Sequence, residues 1–121
     1  MASAAMLVLA RPLDAAAATV GITYVANTDG DSVTEYVAGM TGDATPIRTI
    51  SGVGTGLSDP AGVALGVDGT LYVANSNLGV TEYAPGATGN ATPIRAISGP
   101  STGLSNPDGV VLDASGTLYV A

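Results

Sequence analysis

The stretch EYVAGMTGDATPIRTISGVGTGLSDPAGVALGVDGTLYVA, residues 35–74, returns as EYAPGATGNATPIRAISGPSTGLSNPDGVVLDASGTLYVA, residues 82–121, aligned without a gap and identical at roughly two-thirds of positions. A second copy at a period of about 47 residues marks a tandem-repeat architecture. Upstream, Tyr24-Val25-Ala26-Asn27 matches Tyr72-Val73-Ala74-Asn75 at a spacing one residue longer, which places one extra residue in the loop after Asn27.

Each period holds four short apolar runs separated by turn residues. Leu71 to Ala74 is followed by Asn75-Ser76-Asn77, then Gly79 to Tyr83, then Pro85-Gly86, then Pro93 to Ile97; the next period opens with Gly109 to Leu112 after Asn106-Pro107. Runs of this length bounded by Gly, Pro, Asn and Asp read as strands. Helical repeats of similar period are disfavoured, because no window keeps a 3.6-residue apolar rhythm and Gly or Pro interrupts every few residues. Val110-Val111-Leu112 is apolar at successive positions, as in a strand covered on both faces. The Val33 to Tyr36 run alternates, with Val33 and Glu35 on one side and Thr34 and Tyr36 on the other.

Four strands in 47 residues predict an all-β, partial β-propeller of four-stranded antiparallel blades. The expected organisation is a signal peptide or disordered Ala-rich tail over 1–18 and a partial propeller over 19–121. The latter divides into an incomplete blade (19–52), a complete blade (57–99) and the first two strands of a third (104–121), which gives three, four and two strands. A ring needs roughly four to eight blades. The missing blades are expected from a longer protein of which this is a fragment, or from homo-oligomer partners.

The motifs Pro60-Ala61-Gly62-Val63-Ala64-Leu65, Gly69-Thr70-Leu71-Tyr72-Val73-Ala74-Asn75 and Val80-Thr81-Glu82-Tyr83 resemble the NHL-repeat family of propellers, and the likeness extends over nearly everything from Thr19 onward. Two departures stand out: Asn27 and Asn75 replace the last Asp of the family signature, and the usual Asn-Arg pair of the following loop is absent. The resemblance implies a binding or scaffolding module with an unidentified protein or carbohydrate ligand. The alternatives are a section of a propeller lactonase or lyase whose catalytic residues lie on other blades, and a structural cell-envelope repeat protein.

Composition narrows the chemistry. The 121 residues include three Arg, no Lys and ten Asp or Glu, for a net charge of -7. Three scattered Arg cannot make the basic patch that nucleic acid requires. With no Cys and no His, thiolate nucleophiles, Ser-His-Asp triads and thiolate or imidazole zinc sites are excluded within the chain. No stretch approaches the roughly 20 apolar residues of a membrane span. The apolar run from Ala4 to Ala10 and the block Ala15 to Ala18 suit an export signal, hence a secreted or cell-envelope location, although no basic residue precedes the run.

Four candidate sites follow. Asn27, Asp29 and Asp31 alternate around Gly30 and offer oxygen donors to Ca²⁺, the one candidate cofactor; the same residue types also make an ordinary hairpin turn. Glu35 with Arg48, and Glu82 with Arg95, recur at one offset and are expected to form cross-strand ion pairs rather than an anion site. Asp113 stands where the resembled family has Asp, and in lactonases of similar fold such carboxylates hold a metal. Its counterpart one repeat earlier is Gly66, which favours a turn role. Tyr24, Tyr72 and Tyr119 share one repeat position and Tyr36 and Tyr83 another, where packing between sheets is expected ahead of sugar stacking.

Overall fold

The computed structural model describes residues 4–9 and 21–121. It is all-β, with antiparallel pairing within every sheet. The first sheet holds β1 (Ala4–Leu9), β2 (Ile22–Asn27), β3 (Ser32–Val37) and β4 (Arg48–Ser51) in that order. The second repeats the order with β5 (Pro60–Leu65), β6 (Leu71–Asn75), β7 (Gly79–Tyr83) and β8 (Arg95–Ser98), and a third pairs β9 (Val110–Leu112) with β10 (Leu118–Val120). Among the described residues the helical content is one 3-10 turn, Pro100–Thr102, and no helix is long and apolar enough to cross a membrane.

The duplicated sequence yields duplicated register. Tyr24 faces Glu35 and Glu35 faces Arg48 in the first sheet; Tyr72 faces Glu82 and Glu82 faces Arg95 in the second. A register shift between Ala4 and Met6 corresponds to one between Pro60 and Gly62. Among the described residues the strand count is thus four, four and two, not three, four and two. Residues 4–9, inside the segment read as an export signal or tail, pair with β2 as β5 pairs with β6. An unbroken apolar run suits a strand covered on both faces as well as it suits the apolar stretch of a signal, so the sequence does not separate the two. The remainder of 1–18 lies outside the described residues.

The sheets pack face to face in chain order, with two cores between them. Tyr24, Ala26, Val33 and Ile50 meet Val63, Leu71, Val73 and Tyr83 across the first joint, joined by Leu57 from the connecting segment. Ala64, Ala74 and Val80 meet Val110 across the second, with Tyr72, Leu104, Leu112 and Leu118 at its margin. Sandwiched on both sides, β7 is buried at all five positions. The third sheet departs from the expectation of two covered faces: Val110 is buried, whereas Val111 is 60% exposed and Tyr119 55%. Val33 and Glu35 are buried and Thr34 and Tyr36 half-buried, as the alternation requires.

Polar bonds from the loops after β2 and β6 bind each sheet to the next. Thr28 Oγ1, after β2, donates to the Pro60 carbonyl at 3.0 Å, and Ser76 Oγ, after β6, donates to Asp108 Oδ1 at 3.0 Å. Where β5 meets the segment leading into β9 the backbones nearly touch: a Cβ on Gly62 would stand 2.5 Å from the Asp108 carbonyl oxygen.

The outer edge strand β4 is closed by the β7–β8 loop of the following sheet. Ile50 and Gly89 form a parallel bridge, Ser51 N–H donates to the Gly89 carbonyl at 3.0 Å, and Gly89 N–H donates to the Thr49 carbonyl at 2.7 Å. Covering an edge in this way removes unpaired backbone groups that would otherwise template aggregation. Tyr83, fully buried, donates its hydroxyl to the Thr55 carbonyl at 2.6 Å across the same joint. Burial pushes the Tyr83 phenol above its ordinary value. Tyr83→Phe leaves that buried carbonyl unpaired and is expected to cost about 1–3 kcal/mol in urea unfolding; a loss under about 0.5 kcal/mol would mean that the bond does not hold the joint.

Candidate functional site

The β2–β3 loop carries the three residues considered for calcium. Backbone bonds from Gly30 N–H to the Asn27 carbonyl (3.3 Å) and from Asp31 N–H to the Thr28 carbonyl (3.4 Å) shape a turn. Asp31 adopts a left-handed φ of 42°, which Asp tolerates better than most residues. Asn27 does not aim its amide at the loop centre; its Nδ2 donates to Thr34 Oγ1 at 3.1 Å and to the Val25 carbonyl at 3.4 Å. Asp31 Oδ1 accepts from Asp59 N–H at 2.7 Å, across the joint to the second sheet. Asp29 lies within the same turn. Among the described residues no three His, Cys, Asp or Glu side chains are grouped to hold a metal ion.

The geometry gives Asp31 a structural duty. Asp31→Ala is expected to lower stability by about 1 kcal/mol, by the same amount in calcium as in chelator. A calcium-dependent rise in melting temperature that Asp31→Ala abolishes would assign the loop to the ion instead.

The corresponding loop of the second sheet, one residue shorter, centres on Asn75. This side chain is wholly buried and saturated: Oδ1 accepts from Ser58 N–H at 3.1 Å, and Nδ2 donates to the Val73 carbonyl (3.1 Å), Thr81 Oγ1 (3.0 Å) and the Gly79 carbonyl (3.4 Å). The amide therefore ties three segments together, β6, β7 and the connection into β5. Asp59 adds to the same corner, where its carbonyl accepts from Ser76 N–H at 3.0 Å and its carboxylate from Asn77 Nδ2. Sequence reasoning treated Asn75 as a turn residue; its recurrence as Asn27 at the same strand end was the available signal.

The ion pairs expected from the repeat are present. Arg48 Nη1 lies 2.9 Å from Glu35 Oε2, and Arg95 Nε lies 2.8 Å from Glu82 Oε2. Both carboxylates are buried while the guanidinium groups remain solvated, so each pair contributes in the range of about 0.2 to 1 kcal/mol. Glu35 also acts on its cross-strand neighbour: burial first, and then the nearby carboxylate, raise the Tyr24 phenol above its ordinary value. The two Arg serve separate sheets.

Asp113 closes the β9–β10 turn. Its Oδ1 accepts from Ser115 N–H (2.9 Å), Ser115 Oγ (2.6 Å) and Thr117 N–H (2.9 Å), and its Oδ2 from the Tyr119 hydroxyl (3.2 Å). These donors, the Ser115 side chain foremost, hold the carboxyl at about 2. In the second sheet Asp68 does the same work two residues further along its repeat, accepting from Thr70 N–H and Thr70 Oγ1, both at 3.0 Å. Its carboxyl is likewise held low, chiefly by the Thr70 backbone bond. The substitution of Gly66 for Asp at the earlier repeat position is thereby compensated locally.

One groove, of about 270 Å³, opens on the first sheet, lined by Thr23, Tyr36, Met40, Gly42 and Ala44 among others. It lies between β2, the end of β3 and the loop that leads to β4, and its lining includes two threonines, the Met40 thioether and the Tyr36 phenol. Compared with known protein families and with curated proteins, the chain matches no family model and no curated sequence.

Proposed function

We propose that the chain is a section of an NHL-like β-propeller, exported to the cell envelope or beyond, that works as a binding or scaffolding module. The observation that carries this reading is the repeated joint: two four-stranded sheets and the start of a third stack in chain order, and at each joint a hydroxyl at the same repeat position, Thr28 or Ser76, bonds the following sheet or the segment leading into it. The first strands β1, β5 and β9 run beside one another in succession, the arrangement from which blades radiate. The loops after β2 and β6 then crowd together at one end, held by Asn75, Asp31 and Asp59 in fixed positions. Rigid loops rich in Asp, Asn and Ser suit recognition of a polar ligand, a carbohydrate or a protein surface, more than they suit turnover.

The test measures soluble glycans and candidate envelope proteins against the immobilised chain, with Asn77→Ala as the loop variant, alongside hydrolysis of simple lactones with and without calcium. Saturable binding that Asn77→Ala weakens is the expected result. Absence of saturable binding, or binding that Asn77→Ala leaves unchanged, would overturn the proposal, and lactone turnover would do so by showing that the chain carries catalytic residues of its own.

A further inference from the structure

The groove on the first sheet is the counterpart of a surface that, one repeat later, is filled. Thr23, Tyr36, Met40, Gly42 and Ala44 correspond in the repeat to Leu71, Tyr83, Ala87, Gly89 and Ala91. In the second sheet all five lie against the segment Arg48 to Leu57 of the preceding repeat. Leu71, Tyr83, Ala87 and Ala91 share a core with Ile50 and Leu57, and Gly89 bridges Ile50. Asn90 completes the seat, its Oδ1 accepting from Gly54 N–H at 2.7 Å and lying where a Cβ on Gly52 would stand.

The matching plug is also present; its Leu104 end packs at the margin of the second core, and its β8 part is uncovered among the described residues. Arg95 to Leu104 repeats Arg48 to Leu57, and all four residues of β8 are exposed. Ile97 is 42% exposed where Ile50 is 1%. The segment is already shaped for the seat. Gly99 holds φ 107° where Gly52 holds 125°, and Gly103 holds 74° where Gly56 holds 71°. Thr102 Oγ1 bonds the Gly99 carbonyl at 2.7 Å just as Thr55 Oγ1 bonds that of Gly52. Gly42, at φ 68°, matches Gly89 at 66°.

We infer that the groove lined by Tyr36, Met40 and Gly42 receives the Arg95–Leu104 segment of a second copy of this chain, so that copies associate head to tail. The interface continues the joint between the first and second sheets and does not depend on ring closure. Its contacts follow residue by residue: Ile97 bridges Gly42, the Tyr36 hydroxyl donates to the Thr102 carbonyl, and the Asp43 carboxylate, standing where Asn90 stands, accepts from Ser101 N–H. Full seating exchanges the two-stranded β9–β10 pair, held on the second sheet by Val110, Leu112, Leu118 and the Ser76–Asp108 bond, for the four-stranded first sheet of the incoming copy. Plug and seat being different surfaces, the association is heterologous.

Sedimentation equilibrium over a range of concentrations provides the test, with Ile97→Asp breaking the plug and Met40→Asp breaking the seat. Both side chains are exposed in the single chain, Met40 at 53%, so circular dichroism of each variant should match the parent. The parent is expected to rise above its chain mass of 11.7 kDa with concentration. Each variant should weaken association by about tenfold or more, and a mixture of the two should recover a one-to-one pair through the one interface left intact. A parent that stays monomeric throughout, variants that associate as the parent does, or a mixture no stronger than its components would each overturn the inference.

Discussion

Gly79→Ala is expected to lower the free energy of unfolding by about 3 kcal/mol or more, the largest effect of any single methyl added to the second sheet. Gly79 opens β7 at φ 138°, and a Cβ there would stand 2.1 Å from the Ile97 carbonyl oxygen, a backbone atom held in the β7–β8 ladder. The cause lies in loop length. Between Asn75 and Gly79 three residues turn the chain, whereas between Asn27 and Ser32 there are four. With the extra residue, Asp31 takes the left-handed conformation and Ser32 starts its strand without a positive φ. Without it, a positive φ falls on the first strand residue, at 138°, where only glycine fits. Ser32→Ala, the matching change in the first sheet, should stay within about 0.5 kcal/mol. Urea unfolding followed by far-UV circular dichroism separates the two; a Gly79→Ala cost below about 1 kcal/mol would show that the loop relaxes.

Asn75→Ala ranks second, with an expected loss of about 2–4 kcal/mol, because it strands several buried groups at once. The Val73 carbonyl, Thr81 hydroxyl and Ser58 N–H each lose a partner that water cannot easily replace in a position with no exposure. Asn27→Ala should cost about half as much, since Asn27 is half-buried and its amide makes the Thr34 and Val25 bonds alone among the described residues. Equal losses at the two positions would contradict the part assigned to the Ser58 connection.

Much of this architecture was legible beforehand. A repeat with turn residues at fixed offsets gave strand positions, and the recurrence of Glu35 with Arg48 and Glu82 with Arg95 gave the β3–β4 and β7–β8 register. Alternation along Val33 to Tyr36 gave the buried face. What stayed hidden has a physical reason in each case. β1 carries neither the Pro nor the Gly of Pro60 to Leu65, and its apolar run satisfies two different readings. The bonds of Asp31 to Asp59, Thr28 to Pro60 and Ser76 to Asp108 join residues about thirty positions apart; turn-forming residues announce a turn and say nothing of what their side chains meet beyond it. In the Asn27, Asp29 and Asp31 loop the same residue types fit a turn and an ion alike.

The closure of β4 by Gly89 was equally invisible, although it decides how the sheets sit. A glycine in a Gly-Asn loop reads as a turn former; only the packing shows its N–H and carbonyl spent on the edge of the preceding sheet. The same closure makes the Gly42 loop and the β8 edge, both uncovered among the described residues, meaningful as a complementary pair.

The face-to-face stacking of consecutive repeats is tested most directly by nuclear Overhauser contacts in solution. Cross-peaks from the Ile50 methyls to the Tyr83 ring and to Ala87, together with slow exchange of the Gly89 and Ser51 amide protons, are the expected result. Contacts confined within each sheet, with Ile50 near none of these residues and both amides exchanging freely, would contradict it.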